Sequence, residues 1–140
     1  TELSSLKEAY RKNLTKEKLD FFTQNIAEAQ TKIALKNKDS LELVDFGDII
    51  CLKGEGAYSE FYIQKKNRPI SIIMSYPLSH YETILPEKQF LRVHKSYIVN
   101  KAHVVEINHG KSFYNIITTH QRNIPIAKRK TADILNRLKS

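Results

Sequence analysis

The chain is predicted to be mostly β, with a helical segment ahead of the β-rich part, and three observations carry that expectation. From about residue 41 onward, short runs rich in β-branched and aromatic residues are separated by turn chemistry. Before about residue 36 there is no Gly or Pro, and apolar residues recur at helical spacing. Finally, 140 residues with 41% apolar content suit one domain of ordinary size plus an appendage.

Taken in order, Leu19, Phe22, Ile26, Ala29 and Ile33 step by 3 and 4, as one face of a helix does. Leu3, Leu6, Tyr10 and Leu14 make a similar stripe, but the step from Leu14 to Leu19 breaks the phase, and Thr15 is placed to cap a second helix. The seam is short, so a helix packed on its own domain and a weak dimerising helix are equally served by it. Residues 1–36 are therefore assigned as a helical linker or dimerisation segment, and "KNKDS" at 36–40 as the linker to a domain over 37–140. Strands are then expected at "LELVDF", "DIICLK", "AYSEFYIQ" and "ISIIM", in a meander. "PLSHYETILPE" reads as a brief helix, with Pro77 in its first turn and Leu78, Tyr81 and Leu85 on one face. "FLRVH", "AHVVEINHG", "SFYNIITT" and "NIPIA" follow as strands, and "KRKTADILNRLK" as a closing basic helix.

Charge narrows the function. Residues 1–85 hold 12 basic and 12 acidic side chains, residues 86–140 hold 11 and 3, so the whole formal +8 lies in the C-terminal part. Clustered Lys and Arg favour a polyanionic partner, because they displace counterions condensed on phosphates. The single cysteine, Cys51, lies in the apolar run "DIICL" and reads as a small buried hydrophobe in a chain suited to a reducing, cytoplasmic setting. No apolar run approaches the roughly 18 to 20 residues of a membrane span, and no signal-peptide core precedes the domain. The chain begins at Thr1 with no methionine, which points to a processed or excised piece.

Enzyme signals are poor, and no catalytic residue, metal ligand or cofactor is assigned. Tyr97 and Lys101 have the spacing used by short-chain dehydrogenases, but no glycine-rich fingerprint accompanies them. The five histidines include no i, i+4 pair, and there is no Cys-x-x-Cys for a structural zinc site. Asp45, Asp48, Glu55 and Glu60 sit among strands and turns with no nucleophile nearby, and serve as turn and solvating residues.

"FLRVHKSYIVN" at residues 90–100 is more informative. Strand alternation sets Phe90, Arg92 and His94 on one side and Leu91 and Val93 on the other, so a strand ends in a polar cluster. Lys95, Ser96 and Tyr97 supply a cation, a hydroxyl and a phenol able to contact phosphates and base edges, while Ile98 and Val99 anchor the segment. A second cluster, Lys128, Arg129 and Lys130, opens the last helix, where backbone N–H groups favour phosphate. Taken alone, such a cluster is more often a solvated face than a site.

"FLRVHKSYIVNKAHVVEI", followed by "IPIAKRK", resembles the LytTR-type DNA-binding domain of bacterial response regulators, the LytR/AgrA family. "DIICLKGEGAYSEFYI" and "ISIIMSYPLSHYETILPEKQF" are similar to further segments of that family, so the likeness covers roughly residues 33–139. It implies an elongated arrangement of short antiparallel sheets with a few short helices, whose loops enter successive major grooves of double-stranded DNA. The family's base-contacting positions align with Tyr58, Lys95 and Lys128, and its phosphate contacts with Arg92, Ser96, Arg129, Ser75 and Tyr76; Lys130 joins them for its charge. The resemblance further implies sequence-specific binding to promoter repeats, as the output domain of a two-component transcriptional regulator whose upstream receiver domain is absent from this chain. Departures from the pattern occur at Ala57, at "SYPL" and at "AKR", so a target sequence does not carry over. Lysine at 128 lacks the planar fork with which arginine grips guanine. The rival is a basic β-rich module that binds RNA, single strands or an acidic protein without sequence specificity, which would expose several rings in its basic groove.

Overall fold

Ile33 is the first residue at which packing overrules helical spacing. The computed structural model describes residues 31–36 and 39–139, and in it Lys32–Lys36 is a strand, β1, with Ile33 and Leu35 buried and Lys32, Ala34 and Lys36 exposed. The expectation of helix up to residue 36 is thus corrected at its end. Ile33 continues the helical stripe, but it also opens the alternating run "KIALK", and pairing with β2 (Leu41–Asp45) in a two-stranded sheet buries both of its apolar side chains. The strands on either side of the stretch read as a linker, β1 and β2, pair with each other. The rest of the N-terminal helical reading, with the dimer expectation built on it, lies outside the described residues. The compact unit runs from Ile33 to Ser140.

After a 3-10 turn at Phe46–Asp48 come β3 (Ile49–Glu55), β4 (Tyr58–Lys65), β5 (Arg68–Met74), helix α1 (Leu78–Ile84), β6 (Phe90–His94) and β7 (Tyr97–Asn100). These strands form one antiparallel sheet in the order β5-β4-β3-β7-β6, with β3 at its centre. Of the four strands expected to form one meander, β3 to β5 do so, while β2 pairs with β1 instead. β7 was not anticipated as a separate strand, because "YIVN" continues the apolar run of β6 with just Lys95 and Ser96 to mark a turn. A second antiparallel sheet, β10-β9-β8, is built from β8 (Val104–His109), β9 (Tyr114–Thr118) and β10 (Asn123–Ile126), and α2 (Thr131–Lys139) follows.

β3 is buried on both faces, and a bulge decides which residue serves which core. Ile49 faces Ile63 and Cys51 faces Tyr62, so two steps on β3 oppose one on β4. As a result Ile49 and Leu52 join one cluster with Ile33, Leu35, Phe61, Tyr81 and Phe90, under β1, β2 and α1. Ile50 and Cys51 join the other with Leu91, Val93, Ile116, Ile124 and Ile134, under the three-stranded sheet and α2. Leu78, Tyr81 and Leu85 are buried along one side of α1, as their spacing predicts. Phe113 departs from expectation: it precedes β9, is exposed, and lies over Gly110, where an added Cβ would stand 3.0 Å from its ring.

Cys51 is buried as expected, and burial pushes its thiol up to about 12, so almost no thiolate forms near neutrality. Ellman's reagent should therefore label the native chain far more slowly than the urea-unfolded one. Labelling at the rate of a free exposed thiol would contradict this packing. Because the folded value lies above the unfolded one, this thiol favours the fold below about pH 9, its ordinary value, and loses that contribution as pH climbs toward about 12.

Candidate nucleic-acid interface

The five-stranded sheet brings loops from separate parts of the sequence to one end. β3 and β4 turn through Gly56 and Ala57, with Glu55 facing Tyr58. β6 and β7 turn through Lys95 and Ser96, with His94 facing Tyr97. β5 finishes with Met74 facing Ser59, so Ser75 and Tyr76 leave the sheet at that same end. The backbone N–H of Gly54 donates to the Ser96 carbonyl at 2.8 Å and ties the first two turns together. The segment after β10 is brought in by the Ala127 N–H, which donates to the Val93 carbonyl at 2.8 Å.

That last bond sets Lys128 beside the strand that carries the Lys95 turn, and it joins two basic clusters more than thirty residues apart. Lys128–Lys130 form a 3-10 turn ahead of α2, not its first helical turn. The reason is local: the Ala127 carbonyl accepts both the Lys130 N–H (2.9 Å) and the Thr131 hydroxyl (3.1 Å), which closes an i to i+3 turn. Lys130 also donates from Nζ to the Arg92 carbonyl at 3.2 Å.

Among the predicted contact residues, Tyr58, Lys95, Lys128, Arg129, Ser75 and Tyr76 are exposed, while Arg92, Ser96 and Lys130 are half-buried. The side chains of Lys95, Lys128 and Arg129 have no ion-pair partner among the described residues, so their charge is available to a ligand. The carbonyl of Tyr76 accepts the hydroxyl of the fully buried Ser59 at 2.7 Å, and its ring stacks on His80 with centroids 4.5 Å apart. Arg92 differs from the others. Its guanidinium donates to the Glu82 carboxylate at 2.7 Å and to the carbonyls of His94 (3.0 Å) and Lys95 (2.5 Å). Sequence reasoning places His94 in the polar cluster but not as an acceptor for the Ser96 N–H, and it does not single out Glu82. Nothing in the spacing of Glu82 and Arg92 announces a contact that forms only once α1 lies beside β6.

A polar, cation-bearing end on a β-rich unit is what a nucleic-acid reader needs, and comparison with known proteins decides the family. Residues 39–139 match the family model described as the LytTr DNA-binding domain. The chain belongs to the LytTR family of DNA-binding domains. It is 33% identical over 106 residues to the sensory transduction protein LytT of Bacillus subtilis (strain 168), covering 75% of this chain and 42% of that protein. It is 29% identical over 105 residues to the heme-containing CO-sensing transcriptional regulator RcoM 2 of Paraburkholderia xenovorans (strain LB400), covering 74% and 38%. Among solved structures, the LytTr DNA-binding domain of a putative methyl-accepting/DNA response regulator from Bacillus cereus superposes with a TM-score of 0.68 at 20% identity, over 80% of this chain and all of that one. The LytTR fold expected from the motifs, short antiparallel sheets with few helices, is thus borne out. The chain spans less than half the length of the curated relatives it matches. No helix among the described residues is long and apolar enough to cross a membrane.

Proposed function

We propose that this LytTR domain reads double-stranded DNA sequence-specifically, with Tyr58, Lys95 and Lys128 at base edges. Ser96, Arg129, Lys130, Ser75 and Tyr76 then lie around them, where phosphates would pass. The observation that carries the reading is the convergence of loops from β3–β4, β5–α1, β6–β7 and β10–α2, two of them bearing lysines with no ion-pair partner among the described residues. Rigid strands behind these turns suit base reading, since they fix where each polar side chain meets the duplex. The likeness to sensory transduction proteins supports a role as the output domain of a two-component regulator in the cytoplasm, acting on paired promoter sites behind a receiver domain. The likeness to a CO-sensing regulator supports one output domain serving different sensors.

The rival module, which binds RNA or single strands by stacking, draws on Tyr58 and Tyr76, the exposed rings at this end. One experiment separates the two. Selection from a random duplex pool should return a preferred sequence that single-stranded DNA and RNA of the same sequence do not displace. An unenriched pool, or tighter binding to single strands, would reject the proposal. For phosphate contacts the salt dependence is the readout. Arg129→Ala should reduce the slope of log K against log salt by roughly 0.9, and an unchanged slope with the fold intact would remove Arg129 from the interface.

A further inference from the structure

The β6–β7 turn is held in a way the other hairpin turns are not. Two-residue hairpin loops match the twist of their strands when the first central residue has positive φ. Gly56 (φ 59) meets this at the β3–β4 turn, and Lys66 and Asn67 (φ 54 and 64) meet it at the β4–β5 turn. Lys95 and Ser96 do not: neither has positive φ, and the ladder beneath them is shifted between Arg92 and His94. Such a turn splays its strands, and its backbone groups fall out of the ladder.

Side chains take the place of the ladder. Arg92 donates from Nε to the His94 carbonyl and from a terminal nitrogen to the Lys95 carbonyl, while its other terminal nitrogen faces the Glu82 carboxylate on α1. The Ser96 N–H donates to Nδ1 of His94 at 3.1 Å, which assigns that nitrogen as the unprotonated one. The Ser96 carbonyl accepts from Gly54. The Arg92 side chain is 22% exposed, and each of its guanidinium nitrogens points at a protein acceptor.

We infer that Arg92 and His94 are positioning residues that hold the Lys95 turn rigid before DNA arrives, with Glu82 orienting the guanidinium. Arg92 is therefore not one of the phosphate contacts that its charge and its place in the motif suggest. The inference rests on the reading above, in which Lys95 contacts bases. Preorganising the turn removes the entropy cost of ordering it on binding, so the gain falls on the preferred sequence and not on every duplex.

The test uses Arg92→Ala and Glu82→Gln in the full chain, each first shown to unfold cooperatively near the wild-type midpoint. Arg92→Ala should weaken binding to a selected duplex about ten-fold, leave binding to a scrambled duplex nearly unchanged and keep the salt slope. Equal losses on both duplexes, with the slope reduced by roughly 0.9, would make Arg92 a phosphate contact and overturn the inference. Glu82→Gln gives results of opposite sign. If Glu82 orients the clamp, selected-site binding falls; if it merely competes with phosphate for Arg92, losing its charge strengthens binding to every duplex. In the DNA-free chain, nitrogen-15 relaxation at Lys95 and Ser96 should show new nanosecond motion in Arg92→Ala, and an equally rigid turn would overturn the clamp. That measurement stands even if the selection finds no preferred sequence, so failure of the clamp and failure of sequence reading are told apart.

Discussion

Asn100→Ala should lower the unfolding free energy by about 2 to 4 kcal/mol, a large share of the stability of a domain this size. Asn100 closes "FLRVHKSYIVN" and is fully buried at the end of β7. Its Nδ2 donates to the carbonyls of Phe46 (3.0 Å) and Ile49 (2.8 Å), and its Oδ1 accepts the Ala102 N–H at 3.0 Å. Those carbonyls belong to the first residue of the 3-10 turn and to the first residue of β3, both buried, so leaving them without a donor is costly. The neighbouring His103 completes the hold: its Nε2 donates to the Gly47 carbonyl at 2.6 Å, while Nδ1 is hydrogen-bonded to the Thr119 hydroxyl at 2.9 Å. Asn100→Asp is the sharper control. It keeps the shape and the Ala102 bond but turns an acceptor toward two carbonyl oxygens, so it should be at least as damaging as alanine. Urea unfolding of both variants decides the matter, and a loss below about 1 kcal/mol for either would mean that the turn finds other donors.

The double variant Lys95→Ala/Lys128→Ala should lose about 2 to 6 kcal/mol of preference for a selected duplex over a scrambled one, with values toward the lower end because lysine lacks arginine's bidentate fork. Neither side chain packs in a core or pairs with the described residues, so the fold should be unaffected. Residual binding should persist through Arg129 and Lys130, with its salt dependence only partly reduced. The ratio of the two affinities at fixed salt is the quantity to measure. If that ratio stays at the wild-type value while both affinities fall together, the two lysines are phosphate contacts, and reading must reside elsewhere, with Tyr58 the first place to look.

Periodicity and turn chemistry are local properties, and they determined most of this protein: the positions of eight strands, the buried face of α1, the buried Cys51, and the motif that identified the family before any packing was seen. Clustered charge likewise pointed to a polyanion, because net charge needs no fold to be counted. Tertiary structure decided what local patterns leave open. "KIALK" satisfies a helix stripe and a strand alternation at once, and only the partner β2 selects the strand. "YIVN" becomes a strand because β3 offers it an edge on the side away from β4. The bonds that Arg92 makes to Glu82, His94 and Lys95 form only in the fold, and Asn100 looks like part of a reading motif until its carbonyl partners more than fifty residues earlier are in view. A side chain's local sequence sets its chemistry, whereas the chain segments that fold around it set whether that chemistry faces a ligand or is used within the protein.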